Sequence, residues 1–189
     1  MKAEHSLLMI CIPYFSGSGH TAKLADTIAS GIGGARAIDV VKITPADWTA
    51  LDAAPAIIFG SPTYMGSTAA QFDLFLEEAS SRWPDQLWAD KIASGFTVAT
   101  HGSGDKLIAL QRMSIYAAQM GMIWVGQREI GAPVNPAKPG INRDGCWLGC
   151  TATASRDKSQ LIEPEDLETA RRFGAHIAAA SARWQKGLV

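Results

Sequence analysis

LLMICIPYFSGSGHT, at residues 7–21, is the most informative stretch of the sequence. An apolar run at 7–12 is followed by turn chemistry that starts at Pro13 and continues into a Ser/Gly segment. The helical pattern HTAKLADTIASGI then covers residues 20–32. A buried strand that passes through a Ser/Gly turn into a helix can hold a phosphate, because the first amide groups of a helix have no partner within it and carry partial positive charge. The sequence therefore predicts an anion site at the carboxyl end of the first strand.

The glycine spacing in this loop narrows the choice of ligand. A Walker A loop needs a lysine after its last glycine, and here Gly19 is followed by His20. A dinucleotide fingerprint needs a third glycine where this chain has Ala22, and an acidic residue about 20 residues on, for which Asp39 is the candidate. A loop rich in hydroxyls and without lysine suits a single terminal phosphate. An ordinary capped turn between a strand and a helix is the alternative.

Composition restricts the class of protein. The chain has 189 residues, a net charge of −1 and three cysteines. This length suits one domain over residues 1–189, and the near-neutral charge argues against nucleic acid as a partner. The near-neutral charge also argues against a dedicated electron carrier, which has a strongly acidic face. An odd number of cysteines indicates a reducing compartment, so we expect a cytoplasmic protein. The first apolar run is too short to cross a membrane, so we expect no membrane partner.

The rest of the chain alternates apolar strands with helical patterns. We expect strands at residues 7–12, 37–43, 56–60, 93–100 and 122–126, and helices at residues 20–32, 69–79, 106–120 and beyond 163, with a short helical turn at 45–48. Such alternation predicts an α/β fold with a five-stranded parallel sheet of order 2-1-3-4-5 and helices on both faces.

Two more loops of the same kind follow later strands. SPTYMGS, at residues 61–67, offers a stiffened turn, a hydroxyl, flat or soft apolar surface and a flexible glycine: Pro62, Thr63, Tyr64, Met65 and Gly66. THGSGDK, at residues 100–106, offers small residues and polar donors: Thr100, His101, Gly102, Ser103, Gly104 and Asp105. With the strand order above, the three loops converge on one crevice. Three unrelated turns are the alternative.

These loops together resemble a known family. YFSGSGHT, SPTYMGS with AQFDLFLEEA, and THGSGDK with AAQMGMIWVG are similar to the flavodoxin-like NAD(P)H:quinone oxidoreductases of the WrbA type, and the resemblance covers nearly the whole chain. It implies a flavodoxin-like fold, FMN as cofactor, NAD(P)H as co-substrate and a quinone as electron acceptor. It also implies a homo-oligomer, a dimer or tetramer with its sites near subunit contacts.

The resemblance assigns roles to single residues. The FMN phosphate would be held by the first loop: Ser16, Gly17, Ser18, Gly19, His20 and Thr21. The isoalloxazine ring would lie between the second loop (Pro62, Thr63, Tyr64, Met65, Gly66) and the third (Thr100, His101, Gly102, Ser103, Gly104, Asp105). Trp83 falls where the family has a tryptophan over the substrate face of the flavin. With Tyr64 and Trp147 it would wall a flat substrate slot.

Two positions depart from the family pattern. Met120 stands where the family usually has a histidine, and His101 interrupts a Thr-Gly step in the third loop. We expect Met120 to remove a hydrogen-bond donor from beside the ring, with His101 as the candidate to replace it. The replacement of the histidine by Met120 should affect the reduction potential of the flavin and the choice of substrate. It should affect the binding of FMN less.

Two-electron transfer from NAD(P)H through a flavin to a quinone is a ping-pong scheme that needs no protein nucleophile, so we assign no catalytic residue and no metal ligand. Two alternatives remain: an FMN-dependent reductase with another acceptor, and a flavodoxin-like electron carrier or regulatory FMN-binding protein.

Several other residues are interpreted as structural. We take Cys146 and Cys150 as ordinary thiols, His5 and His176 as structural or solvated, and Trp88 as a core or subunit-contact residue. The Pro/Gly-rich segment 128–144 would cover the flavin or reach a neighbouring subunit.

Overall fold

The computed structural model describes residues 9–157 and 159–187. His5 and the first two residues of the predicted first strand, Leu7 and Leu8, lie outside the described residues. The strands are β1 (Ile10–Tyr14), β2 (Ala35–Asp39), β3 (Ala56–Tyr64), β4 (Ser67–Thr68), β5 (Ile92–Ala99), β6 (Ile123–Trp124) and β7 (Cys150–Thr153). The helices are α1 (His20–Ile32), α2 (Pro45–Ala53), α3 (Ala70–Ala79), α4 (Lys106–Gln119) and α5 (Pro164–Lys186).

The strands form a flavodoxin-like sheet with the order β2-β1-β3-β5-β6, and all neighbours on this path are parallel. The predicted order 2-1-3-4-5 is therefore confirmed. The fifth position is shared by two strands: β6 pairs with the first residues of β5, and β7 pairs with its last four. β7 is not predicted from the sequence, because four residues of mixed polarity show no clear strand pattern and form a strand only beside the neighbour against which they pack.

The core consists of two apolar layers, one on each face of the sheet. Alternate residues of β3 face opposite sides. Ile57 and Phe59 pack in the layer of α3 and α4, whereas Ile58 packs in the layer of α1 and α5. Trp88 is fully buried in the first layer, as expected of a core residue, and its indole N–H donates to Asp52 Oδ1 at 2.8 Å.

The bounds of all five predicted strands differ from the prediction, and in the first three the chain shows why. Pro13 lies inside β1 and not in the turn that follows it. β3 continues through Tyr64, because residues 61 and 62 pair with Thr97 and Val98 of β5. β2 ends at Asp39, where the carboxylate accepts a hydrogen bond from the amide of Val41 at 3.1 Å and starts a short 3₁₀ turn.

The segment between β6 and β7 packs along α5. The amide of Asn142 donates to Thr169 Oγ1 at 3.0 Å, and the Arg143 guanidinium donates to Asp166 at 3.1 Å. Its last residues, from Asp144 to Leu148, lie beside the third loop. The segment therefore covers part of α5 and one side of that loop, and its predicted role as a cover over the flavin stays a prediction. Contact with another subunit stays a prediction. None of the helices within residues 9–157 and 159–187 is long and apolar enough to cross a membrane.

The crossing of α1 and α5 depends on two glycines. A side chain at Gly174 would collide with the carbonyl oxygen of Ile28, and one at Gly31 would collide with that of Arg171. The helices therefore approach through their backbones, and the buried Phe173 and Ile177 complete the contact with the core.

We expect Gly174→Ala to lower the free energy of unfolding by about 2 kcal/mol, because forcing an extra methyl group into a packed contact typically costs 1–3 kcal/mol. Gly187→Ala is the matched control, since its new methyl group would lie 3.5 Å from its nearest neighbour and would meet ordinary van der Waals contact. It should be neutral or slightly stabilising. Urea titrations of the two variants measure the difference. Equal stability would contradict the close crossing.

Candidate functional site

The first loop joins β1 to α1 and exposes the start of that helix. Gly19, just before α1, has a φ of 88° and, as a glycine, has no side chain that could cap the helix. Ser16 caps the helix instead, because its Oγ accepts hydrogen bonds from the amides of Gly19 at 3.1 Å and Ala22 at 3.2 Å. The amides of His20 and Thr21, at the first two helical positions, have no carbonyl within the helix to which they can donate. They are donors for an anion.

The second loop is a tight hairpin and not an open turn. Met65 and Gly66 connect β3 to β4 with φ values of 47° and 83°, and residues 64 and 67 pair across the turn. Two residues with positive φ are the signature of a type I′ hairpin. Met65 has an unusual backbone conformation for a residue with a side chain, and it is fully exposed at the tip of the hairpin.

Tyr64 connects the hairpin to the first loop. A side chain at Gly17 would collide with the Tyr64 hydroxyl, so the tyrosine reaches the first loop only because that residue is glycine. The Tyr64 ring is 46% exposed and presents a flat aromatic surface beside the loop.

The third loop, residues 100–105, joins β5 to α4. Gly104 and Asp105 both have positive φ, 50° and 55°, so the chain turns sharply into the helix. The ends of β3 and β5 are joined by a hydrogen bond of 2.7 Å between the hydroxyl groups of Thr63 and Thr97.

One cavity of about 160 Å³ has walls from all three loops. It is lined by Gly17, Ser18, His20, Thr21, Pro62, Thr63, Tyr64, Val98, Ala99, Thr100 and Ala154. The structure thus brings together loop residues that are far apart in the chain, from Gly17 to Thr100. Its donors are backbone amides, hydroxyls and one imidazole. This set fits a phosphate ester that carries a flat ring, and at Gly17 the Tyr64 hydroxyl lies in the place that a Cβ would take.

The other predicted cofactor residues lie around this cavity. His101 lies on the other side of the third loop, where it shares one cavity with Arg156 and His20 and another with Arg143 and Asp144. Gly102, Ser103 and Asp105 line a larger cavity, of about 540 Å³, whose opposite wall includes Trp147. Ser16, Gly19, Met65, Gly66 and Gly104 shape the loops without lining the shared cavity.

Trp83 does not reach the three-loop cavity within this chain. It lines a separate cavity of about 270 Å³ with Tyr116 and Met120. That cavity lies at the amino end of the sheet, since the amide of Asp90, just before β5, donates to the carbonyl of Gly121 at 3.0 Å. The third loop leaves β5 at its other end, about 26 Å away at a rise of roughly 3.3 Å per residue. The predicted slot walled jointly by Trp83, Tyr64 and Trp147 is therefore not formed within one chain.

The expectation for Met120 is corrected for the same reason. Met120 is 3% exposed, follows the end of α4 and packs in the core layer of α3 and α4. Met120 therefore does not lie beside the three-loop cavity of its own chain, and the expected loss of a donor is not seen within one chain. The replacement of that donor by His101 stays a prediction.

The cysteines behave as structural thiols in this fold. Cys150 is fully buried in β7, and burial raises the pKa of its thiol. Cys146 is half-buried beside the large cavity, and burial raises its pKa as well. Both are therefore neutral at physiological pH and poor nucleophiles.

Sequence reasoning missed a buried ion pair behind the third loop. Lys106, predicted only as the start of α4, is 3% exposed and binds the carboxylate of Asp144. The one signal in the sequence is its position, because a lysine in the first turn of a helix faces the positive end of the helix dipole and needs a partner.

Ser16→Ala should lower the free energy of unfolding of the ligand-free protein by about 1 kcal/mol, because two amides at the start of α1 lose their acceptor. Ser18→Ala is the control: Ser18 is exposed and lies in the same loop. It should change stability by less than about 0.5 kcal/mol. Chemical denaturation compares the two. A neutral Ser16→Ala would show that its hydroxyl does not cap the helix.

Comparison with known proteins agrees with this geometry. Residues 39–134 match the family described as NADPH-dependent FMN reductase. The chain is 37% identical over 175 residues to flavodoxin FldP of Pseudomonas aeruginosa, covering 88% of this chain and 93% of that protein. It is 25% identical over 202 residues to an NAD(P)H dehydrogenase (quinone) of Gluconacetobacter diazotrophicus, covering 92% of this chain and 97% of that protein.

A solved structure is similar over the same range. The flavodoxin, WrbA-like protein from Agrobacterium tumefaciens superposes with a TM-score of 0.74 at 35% identity, covering 92% of this chain and 97% of that chain. The family and its flavodoxin relatives support FMN as the cofactor, and NAD(P)H as co-substrate fits the family. The chain belongs to the NADPH-dependent FMN reductase family of flavodoxin-like oxidoreductases.

Proposed function

We propose that the protein uses bound FMN to transfer two electrons from NAD(P)H to a quinone. The observation that carries the proposal is the cavity whose walls come from all three loops and which opens onto the start of α1. Support for the acceptor comes from the relative named NAD(P)H dehydrogenase (quinone). FMN supplies the redox chemistry when bound, and the protein supplies its placement and electrostatic surroundings.

The first loop would bind the phosphate. The amides of His20 and Thr21 point out of the helix, and the exposed Ser18 adds a hydroxyl. Gly17, which has no side chain, lets the Tyr64 hydroxyl approach the backbone of this loop. Neutral amide and hydroxyl donors would thus bind the phosphate in place of a lysine.

The second and third loops would hold the ring. The exposed face of Tyr64 would offer stacking surface on one side, and Thr100, at the start of the third loop, would offer its hydroxyl and backbone donors on the other. Such donors stabilise the negative charge that the ring gains on reduction. Trp147 is 53% exposed and lines the large cavity with residues of the third loop, so within one chain it would border the substrate together with Tyr64.

Trp83 would act on substrate only from a second copy of the chain. It is 52% exposed at the amino edge of the sheet, where a neighbouring subunit could receive it. The proposed homo-oligomer, a dimer or tetramer, would in that case complete the substrate slot. The single-domain organisation over residues 1–189 and the cytoplasmic location stay predictions.

A flavodoxin-like electron carrier is the second candidate, since the relative at 37% identity is named a flavodoxin. The net charge of −1 favours the enzyme, because a carrier generally needs a charged docking surface.

The direct test is anaerobic reduction of the FMN-loaded protein followed by stopped-flow absorbance. An enzyme should be bleached by NADPH or NADH within seconds and should be reoxidised by benzoquinone. Protein that neither nucleotide reduces, but that takes up electrons from a separate flavin reductase, would instead be a carrier. Parallel runs with ferric citrate and free FMN as acceptors test the alternative reductase function.

Ser18→Asp places a negative charge beside the proposed phosphate site. The affinity for FMN should fall at least tenfold, since like charges about 4 Å apart repel by several kcal/mol at an effective dielectric constant near 20. Ser18→Asn, similar in shape and uncharged, should bind FMN within threefold of the wild type. Quenching of FMN fluorescence by apoprotein measures both. Unchanged affinity in Ser18→Asp would remove residues 16–21 from the site.

A further inference from the structure

Lys106 is a buried cation directly behind the third loop. Its side chain is 3% exposed, and its ammonium group uses its three N–H donors on three acceptors. These are the carboxylate of Asp144, the carbonyl oxygen of Ala152 at 3.2 Å and Thr153 Oγ1 at 3.1 Å. The acceptors come from the segment before β7 and from β7 itself, so one lysine joins three parts of the chain.

An isolated charge would be unfavourable at Lys106 and also at its partner Asp144. Removing an ammonium ion from water costs several kcal/mol, and the start of α4 adds the repulsion of the helix dipole. The Asp144 side chain is 16% exposed. Arg143 and Asp166 form a second pair at 3.1 Å, and Asp166 also accepts the amide of Thr153 at 2.8 Å. The four charges balance, so the loss of any one leaves an uncompensated charge.

This cluster lies next to the proposed flavin site. Asp144 lines one cavity with Thr100 and His101, and it shares the large cavity with Ser103. Thr153, which binds the ammonium group, pairs in register with Ala99 of β5. Ala99 and the residue after Thr153 both line the three-loop cavity. The two charges are therefore separated from that cavity by a single layer of backbone.

We propose that Lys106 is a positioning residue that sets both the shape of the third loop and the charge behind it, and thereby the reduction potential of bound FMN. The proposal rests on the FMN site described above. A flavin that accepts a hydride gains one negative charge, and a cation behind the loop favours that state while an anion opposes it. Lys106 and Asp144 therefore act on the potential with opposite signs, and the native pair nearly cancels.

The test measures the two-electron midpoint potential of bound FMN in Lys106→Met and Asp144→Asn by equilibration with a reference dye. In Lys106→Met the carboxylate of Asp144 loses its nearest cation and keeps only the Arg143 guanidinium, at 4.0 Å. We expect reduced FMN to bind about tenfold more weakly relative to oxidised FMN, which lowers the potential by about 30 mV. In Asp144→Asn the ammonium group is left alone, and the potential should rise by a similar amount. Simple loosening of the loop would not shift the two variants in opposite directions.

Lys91→Met is the matched control. Lys91 is also partly buried and donates to two backbone carbonyls, those of Asp52 and Ala54, each at 2.7 Å. It lies at the amino end of β5, at the opposite edge of the sheet. Its loss should lower the thermal unfolding temperature and leave the potential within about 10 mV of the wild type, or roughly twofold in relative affinity.

The possible results separate the two proposals. If the wild type binds no FMN, the proposed function fails and this inference fails with it. If the wild type binds FMN but both variants shift the same way, or neither shifts relative affinity by more than twofold, only the role of Lys106 is overturned. If Lys106→Met does not fold, a higher potential in Asp144→Asn beside an unchanged one in Lys91→Met still supports the inference, and an unchanged potential in both overturns it.

Discussion

The amide groups at the start of α1 cannot be satisfied within their own helix, and much of the fold serves to present them at a cavity. β1 is an interior strand of the sheet, between β2 and β3, so its carboxyl end is flanked by strands on both sides. Ser16 accepts two of the local amides and fixes the loop, which leaves the amides of the first two helical residues directed outward. A site made of backbone donors is only as rigid as its supporting layers. The close contact between Gly174 of α5 and Ile28 of α1 provides such support for α1.

Each of the three loops is held in shape by a specific local feature. Gly17 allows the Tyr64 hydroxyl onto the first loop, and the Met65–Gly66 turn folds the second loop back on itself. The third loop is closed from behind by Lys106, which is bound to the segment before β7. Glycine provides space at position 17 and a positive φ at position 66, and an ion pair provides attachment at the third loop. The same edge of the sheet therefore combines positions that tolerate no side chain with a position that needs a particular charge.

The sequence predicts the parts of this structure that depend on local pattern. The strand order, the bounds of α1 and the meeting of the three loops all follow from the alternation of apolar strands with Ser/Gly turns. The sequence does not predict the features that depend on tertiary contacts. β7 becomes a strand because β5 offers it a partner, and the second loop is half strand because residues 61 and 62 pair with β5. Lys106 has no sequence motif, since its three acceptors lie 38 to 47 residues away.

The two ends of the sheet have different chemistry, and this difference bears on how the site is completed. At the amino end, Asp52 accepts both the Arg82 guanidinium and the Trp88 indole at 2.8 Å, and Lys91 binds the nearby carbonyls. These contacts satisfy one another and leave Trp83 exposed beside them. At the carboxyl end, donors and aromatic surface are left unsatisfied around a cavity. Because a strand of the sheet separates the two ends, Trp83 would reach the proposed substrate slot only in an assembly of subunits. In the proposed function the carboxyl edge of one chain would hold the cofactor, whereas recognition of the substrate by Trp83 would require a second chain.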